Sequence, residues 1–288
     1  MRRFLWLLTV IIVVALGAGI YLVVVDQKGR LPIGVPVGKG CRAQTEAGTV
    51  SLYPDQMANA ATIAAVGIAK GIPDRGIVVA LATSMQESEL MNLDYGDRDS
   101  LGLFQQRPSQ GWGTAEQIRD PHYATAAFYR QLLLTPGWEE MRITEAAQAV
   151  QRSAYPEAYD RHAGDAQILG DALLATSTAA ISCQKVGEPT LRGAAATEVL
   201  ARDMQADFGR AAEPSDSGLT IVAEHDRAGW QLAHWLVARS IGQNVSRVRF
   251  GQHEWSLETG QWSVVQSVPV DTMAPGAAGV VTAEVYPA

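Results

Sequence analysis

Residues 73–88 read PDRGIVVALATSMQES and carry the strongest structural signal of the sequence. The opening Pro-Asp pair is typical of a helix start. From Ile77 through Met85 the side chains are apolar or small on almost every side of a helix. A helix without a polar face must be buried all round. We therefore predict that 77–88 is the central helix of a helical domain and that Glu87 lies at its C-terminal end.

The position of Glu87 favours its protonated form. A carboxylate at the C-terminal end of a helix faces the negative end of the helix dipole, and burial also disfavours the charge. Both effects raise the pKa of Glu87, which suits a general acid. Ala80, Ser84 and Met91 share its stripe of the helix, where small side chains leave room for a substrate. The alternative is an ordinary helix end with Glu87 and Glu89 in water.

A second short motif follows this helix. Gln86-Glu87-Ser88 is followed, beginning twelve residues after Ser88, by Ser100-Leu101-Gly102-Leu103-Phe104-Gln105. This order resembles the lysozyme-like soluble lytic transglycosylases, which carry a catalytic Glu-Ser at a helix end and then a Gly-Leu-Met-Gln segment. Phe104 stands here in place of the usual Met. The resemblance covers about half of the chain, residues 50–175, and implies a mainly α lysozyme-like domain.

The resemblance also implies an activity and a set of site residues. The activity is cleavage of the β-1,4 bond between N-acetylmuramic acid and N-acetylglucosamine in peptidoglycan, with Glu87 as the general acid/base and no cofactor. The alternative is a scaffold of the cell envelope or a secretion assembly that binds peptidoglycan without cutting it. The residues assigned to substrate binding are Ser88, Gly102, Leu103, Phe104, Gln105, Trp112 and Tyr155.

Two of these assignments have alternatives. Ala154-Tyr155-Pro156 is the nearest equivalent of the family's Ala-Tyr-Asn segment, but it lacks the Asn. Tyr155 and the nearby Tyr159 are otherwise ordinary core aromatic residues. Trp112 lies between two glycines and suits stacking on a sugar ring, because its indole is amphipathic. Plain packing is the alternative for Trp112.

Asp97 and Asp99 are candidates for a second carboxylate. Hydrolysing glycosidases use two carboxylates, whereas in lytic transglycosylases a single Glu acts and the muramyl 6-hydroxyl closes a 1,6-anhydro ring. Loop aspartates otherwise hold turns. Asp97-x-Asp99 begins like a calcium-binding loop, but Pro108 stands at the position of the liganding Glu. We therefore predict no metal site here.

Residues 4–25 form an uncharged run of 22 residues behind Arg2 and Arg3. At about 1.5 Å per residue, this run spans a hydrocarbon core of about 30 Å. The positive-inside rule keeps the N-terminus in the cytoplasm. We predict a bacterial single-pass anchor within residues 1–30 that contacts the lipid bilayer and leaves the bulk of the chain outside. A cleaved signal peptide is the alternative, and it exports the same residues.

The chain after the anchor divides at its two cysteines. Residues 31–40 are rich in Pro and Gly and are typical of a stalk. Exported cysteines in an even number tend to pair, so Cys41 and Cys183 are expected to form a disulfide, with two free buried thiols as the alternative. The sequence has no Cys/His cluster, which argues against zinc. The predicted domains are 41–184, mainly helical, and 185–288, a small α/β domain.

Hydrophobic periodicity gives a coarse map of both domains, and the overall class is α+β. Besides 77–88, helices are predicted at 54–71, 121–134, 144–153, 163–180, 191–211 and 227–241. Strands are predicted at 219–223, 245–250, 254–257 and 279–285.

Four of the seven tryptophans lie in the C-terminal domain, where they form either its core or a surface for wall polymer or an envelope protein. Trp255 and Trp262 are placed to flank the turn at 258–260. The net charge of −7 argues against nucleic acid as a partner, because phosphate contacts require clustered basic residues.

Overall fold

The computed structural model describes residues 40–152, 156–184, 190–265 and 279–288. Within them the chain is a mixture of helices and antiparallel strands, which confirms the α+β class. The predicted anchor (1–30) and all but the last residue of the predicted stalk (31–40) lie outside the described residues. Among the residues that are described, no helix combines the length and the apolar character needed to cross a membrane.

The first half of the chain has six helices and three short strands among its described residues. In chain order they are β1 (Cys41–Thr45), β2 (Gly48–Leu52), α1 (Pro54–Ala69), α2 (Asp74–Ser88), α3 (Ala115–Arg119), α4 (Pro121–Leu133), α5 (Ile143–Gln151), α6 (Asp160–Leu173) and β3 (Ile181–Cys183). Short 3₁₀ turns at Pro108–Gln110 and Pro156–Tyr159 interrupt the loops.

Helix α2 is the centre of this half, as its sequence predicted. Its residues Ile77 through Met85 are buried, and it packs against α1, α5 and α6. Each fully buried aliphatic side chain contributes about 1.5–3 kcal/mol by leaving water. Gly170 of α6 permits close contact, because a Cβ there would lie 2.7 Å from Val78. The tight crossing of α2 and α6 fixes the start of α6 beside the end of α2.

The small sheet was not predicted, and it adds three short strands to the region that the sequence predicted as mainly helical. Its order is β2-β1-β3, and Cys41 faces Cys183 directly in the antiparallel register. These two cysteines form the predicted disulfide. The helix predicted over 163–180 ends at Leu173, because Ala175 adopts a left-handed backbone with φ 58° and the chain then enters β3. That turn places the end of α6 next to β1.

The second half is built on a six-stranded antiparallel sheet of order β4-β5-β9-β6-β7-β8. The strands are β4 (Glu213–Ser215), β5 (Gly218–Ala223), β6 (Val245–Phe250), β7 (His253–Ser256), β8 (Gln261–Val264) and β9 (Gly279–Val285). Helices α7 (Gly193–Phe208) and α8 (Asp226–Ala238) pack against it, and the short α9 (Ser240–Gln243) follows. The four predicted strands are confirmed, whereas β4 and β8 were missed.

The C-terminal tryptophans form core more than surface. Trp230, Trp235 and Trp255 are buried. Trp262 is only partly buried and lies opposite Trp255 across the β7–β8 hairpin, as the sequence predicted. Of these four tryptophans, only Trp262 therefore remains a candidate for a binding surface.

The two halves share one continuous buried core. Helices α7 and α8 both pack against α1. At this junction the buried Asp207 of α7 accepts hydrogen bonds from His122 of α4 at 2.7 Å and from Trp235 of α8 at 2.6 Å, and it pairs with Arg239. The predicted boundary at 184/185 adjoins residues 185–189, which the structure does not describe, and it stays a prediction.

Candidate active site around Glu87

Glu87 lies on the last turn of α2, which ends abruptly. Glu89 and Leu90 both have left-handed backbones, with φ 54° and 61°. Such a conformation is costly for residues other than glycine. Two side chains of α1 hold it in place, because Gln56 donates to the carbonyl of Glu89 and Asn59 to that of Leu90, each at 2.8 Å. These two hydrogen bonds from α1 therefore fix the end of α2 and, with it, the position of Glu87.

The carboxylate of Glu87 accepts hydrogen bonds from neutral donors. The hydroxyl of Tyr159 donates to Oε1 at 2.6 Å, and the side chain of Gln151 also hydrogen bonds to Glu87. Burial raises the pKa of Glu87 above its ordinary value of 4.5, and the two hydrogen bonds offset only part of that rise. No cation of the described chain forms an ion pair with it. The predicted rise is confirmed, and burial is its main cause.

Ser88 joins the helix end to the segment 102–105. Its hydroxyl donates to the carbonyl of Leu103 at 2.7 Å, and Gln151 donates to the carbonyl of Phe104, also at 2.7 Å. Since Gln151 also contacts Glu87, the backbone of this segment lies beside the acid. The structure thus brings together the two motifs that the sequence singled out.

The side chains of Leu103 and Phe104 point into the protein. Both are fully buried, and Phe104 stacks on Phe128 with ring centroids 4.8 Å apart. Their side chains are therefore unavailable to a ligand, and only their backbone groups can serve substrate binding. Phe104 is therefore a residue of the core.

Gly102 and Gln105 shape the turn between them. Gly102 has φ 74°, and a Cβ there would lie 2.5 Å from the carbonyl oxygen of Ile118. The side-chain amide of Gln105 donates to the backbone carbonyls of Tyr95 and Gly102, both at 3.3 Å. Gly96 lies against the same amide. Gln105 therefore connects the 102–105 turn to the preceding loop.

Trp112 and Tyr155 differ in what the structure says of them. Trp112 is partly buried against the core, and its carbonyl accepts a hydrogen bond from Tyr123 at 3.1 Å. The packing of its side chain against the core is expected of a ring that anchors its loop, whereas the hydrogen bond from Tyr123 holds only the backbone. Tyr155 lies outside the described residues, so its assignment stays a prediction.

The two candidate second carboxylates have different surroundings. Asp99 accepts hydrogen bonds from the backbone of Ser109 at 2.8 Å and from Arg107 at 2.7 Å. Hydrogen bonds from Ser109 and Arg107 hold the pKa of Asp99 well below its usual range. Asp97 is almost fully exposed, at 91%. Asp99 is thus ionised and holds the loop, and the described residues contain no cluster of metal-ligating side chains.

Tyr159 and Gln151 are the residues that the sequence did not assign to the site. Tyr159 is fully buried, as expected of a core aromatic residue, yet its hydroxyl is directed at Glu87. It lies 72 residues from Glu87 along the chain, so no local spacing connects the two. Comparison with known proteins adds no further assignment, since no protein-family model matches this chain. A search of curated proteins likewise finds no significant match.

Proposed function

We propose that this protein cleaves the β-1,4 bond between N-acetylmuramic acid and N-acetylglucosamine in peptidoglycan, as a lysozyme-like enzyme with Glu87 as its general acid/base. One observation carries the proposal: Glu87 is a largely buried carboxylic acid whose partners are neutral donors, Tyr159 and Gln151. Such a group retains its proton closer to neutral pH than an exposed Glu does, as general-acid catalysis requires.

The surroundings of Glu87 favour the lytic route over hydrolysis. Among the described residues no second carboxylate contacts Glu87, and Asp99 is already held by Arg107 and Ser109. In this route Glu87 gives its proton to the glycosidic oxygen as the bond to C1 breaks. The carboxylate then takes the proton of the muramyl 6-hydroxyl as its oxygen bonds to C1. Glu87 recovers its proton, and the product ends in a 1,6-anhydro ring.

Tyr159 and Gln151 have a defined role in this cycle. Both donate to the carboxylate form of Glu87, which exists only between the two proton transfers. Hydrogen bonds to a charged group are worth about 1.5–3 kcal/mol. They therefore stabilise the carboxylate intermediate, while burial still keeps the pKa of Glu87 above its ordinary value.

The proposed location is the outer face of a bacterial membrane. Residues 4–25 would cross the bilayer with the N-terminus inside, and the rest of the chain would reach the glycan strands. The disulfide between Cys41 and Cys183 supports export, because such bonds persist in oxidising compartments. An envelope protein is the proposed partner of the C-terminal half.

The test is release of muropeptides from purified sacculi by the full chain. We expect Glu87→Gln to reduce release by about 10²- to 10⁴-fold, the usual contribution of general acid–base catalysis. Glu89→Gln is the matched control, because this exposed carboxylate lies two residues away and should leave release unchanged. Equal release by the Glu87→Gln variant would contradict the proposal.

The same digest decides the chemistry and the main alternative. Mass spectrometry distinguishes 1,6-anhydro ends, which we expect, from the reducing ends of a hydrolase. If the wild type binds sacculi but releases nothing, the protein is a peptidoglycan-binding scaffold instead.

A further inference from the structure

A cleft with a volume of about 1070 Å³ lies where the small sheet meets the six-stranded sheet. Its walls come from β1 and the turn that follows it, from the loop after α6, and from the start of β8. Ligand sites occur preferentially at junctions of this kind between two structural units. None of its lining residues belongs to the Glu87 site.

The length of α6 separates this cleft from Glu87. Tyr159, which contacts Glu87, immediately precedes α6, whereas Asp171 in its last turn lines the cleft. Twelve residues of helix at 1.5 Å each place the two ends about 18 Å apart. The cleft is therefore a separate site, which lies at the C-terminal end of α6, whereas Glu87 lies at its N-terminal end.

Trp262 is a rigid aromatic surface in this cleft. Its indole nitrogen donates to the carbonyl of Ile181 at 2.8 Å. Its ring meets Trp230 edge to face, with centroids 5.3 Å apart, and also contacts His234. These contacts fix the orientation of the ring before any ligand binds, which lowers the entropic cost of binding.

Polar side chains surround this ring. Arg42 and Gln44 project from the outer face of β1, because the alternating Cys41 and Ala43 are buried. Gln261 precedes Trp262 on β8. In the part of the chain that the structure describes, the side chains of Arg42, Gln44 and Gln261 make no hydrogen bond. Their donors and acceptors are free to bind a ligand.

The charges of the cleft indicate the class of ligand. Among the described residues that line the cleft, Arg42 is the only basic one, and its charge is offset by the acidic Glu46 and Asp171. The cleft therefore offers no excess of positive charge to a phosphate or a polyanion. A fixed aromatic face among amide and hydroxyl groups suits a neutral ligand with an apolar ring face and many hydrogen-bonding groups. An acetamido sugar has these properties.

We infer that this cleft binds a neutral β-1,4-linked acetamido-sugar segment of a glycan strand, with Trp262 stacking on a sugar ring and Arg42, Gln44 and Gln261 bonding its polar groups. The choice of glycan rests on the proposed function. A strand held here is anchored at a second point, away from the bond that Glu87 cleaves.

The test counts binding sites on the full chain carrying Glu87→Gln, which prevents cleavage. The probe is the β-1,4-linked tetramer of N-acetylglucosamine, titrated by calorimetry. We expect two sites in this parent and one site after the further change Trp262→Ala, or a second site weakened at least tenfold, the scale for loss of an aromatic anchor. Val264→Ala on the same strand is exposed, does not line the cleft, and should change neither site.

Gln44→Ala and Arg42→Ala make the test independent of the packing of Trp262 on Trp230. Both residues are exposed, and each change should weaken the same site. Unchanged number and affinity of sites in all of these variants would overturn the inference, even if sacculi are cleaved. A parent with one site that is lost with Trp262→Ala would support the cleft while contradicting a glycan site at Glu87.

Discussion

Glu87 is largely buried and Asp207 fully buried, one in each half of the molecule, and the pKa values of these two carboxylic acids move in opposite directions. Burial is the largest influence on each and raises both. At Glu87 the hydrogen bonds of Tyr159 and Gln151 are too weak to cancel it. At Asp207 the hydrogen bond of His122, the charge of Arg239 and the hydrogen bond of Trp235 together outweigh it, so the pKa falls.

The comparison shows that the neighbours, and not burial alone, decide what a buried acid can do. Neutral donors leave Glu87 able to hold and release a proton. Cationic partners keep Asp207 ionised, and its charge then binds α4, α7 and α8 together at the junction of the halves. The first environment suits chemistry and the second suits structure.

The largest expected effect follows from removing the structural acid. Asp207→Ala removes the closer of the two carboxylates that pair with Arg239, whose side chain is 11% exposed, and leaves only Asp203 at 3.5 Å. Breaking a buried pair from one side costs about 3–5 kcal/mol. We expect the free energy of unfolding, measured in urea at pH 7, to fall by that amount. Glu87→Gln breaks no ion pair and should change it by less than about 1 kcal/mol. Equal losses in the two variants would refute the contrast.

The second-largest expected effect is on the rate of muropeptide release, through the pKa of Glu87. Tyr159→Phe removes a hydrogen bond that lowers the pKa of Glu87, so the pKa rises further. The carboxylate intermediate is then less stable, and we expect muropeptide release to slow by about tenfold, equivalent to about 1.4 kcal/mol. Because Glu87 stays protonated to higher pH, the alkaline limb of the pH–rate profile should shift upward.

Tyr129→Phe is the matched control for this change. Its hydroxyl is also buried and donates to the carbonyl of Ile63 at 2.9 Å, but it does not contact Glu87. It should reduce stability and leave the pH–rate profile in place. A profile that shifts equally in both variants, or in neither, would contradict the role of Tyr159 in stabilising the carboxylate of Glu87.

The smallest expected effect concerns His122, one of the two cationic partners of Asp207. The hydrogen bond to Asp207 raises the pKa of His122 above its ordinary 6.5, so the stability it contributes is complete below pH 6.5 and is lost as pH rises through the raised value. The stability that Asp207 contributes has the opposite pH dependence, because the pKa of Asp207 is lowered. This stability is present above the ordinary pKa of 3.8 and is lost as pH falls through the lowered value. The pair therefore contributes most between these limits.

His122→Gln should remove the alkaline part of this dependence. We expect a loss of less than about 1 kcal/mol, because the side chain is 36% exposed and solvent screens the pair. Urea unfolding from pH 6 to pH 9 measures it. A stability curve of the variant that declines as steeply as that of the wild type would exclude His122 as the titrating group.

Local patterns predicted much of the fold. The burial of α2 followed from a run without a polar face, and the strands β5, β6, β7 and β9 from alternating residues. The strands β1, β2 and β3 of the small sheet were missed. They are strands because β1 pairs with β2 on one side and with β3 on the other, at the disulfide, and local periodicity does not record the pairing of β1 with the distant β3.

The candidate site divides in the same way. Glu87, Ser88 and the 102–105 turn were predicted, since their motif is short and continuous, and burial of the helix end correctly gave the direction of the Glu87 pKa. Gln151 and Tyr159 were not assigned, because 64 and 72 residues separate them from Glu87. The fold alone brings them to the acid.

The sequence by itself determined which segments must be buried and that one carboxylate ends an apolar helix, and it made the pairing of the two cysteines an expectation. Hydrophobic burial and helix termination act over a few residues, so the order of residue types is sufficient to predict them. The tertiary structure decided that Glu87 meets neutral donors while Asp207 meets His122 and Arg239. A pKa depends on the charges and donors within a few ångströms, and at both carboxylates those come from distant parts of the chain.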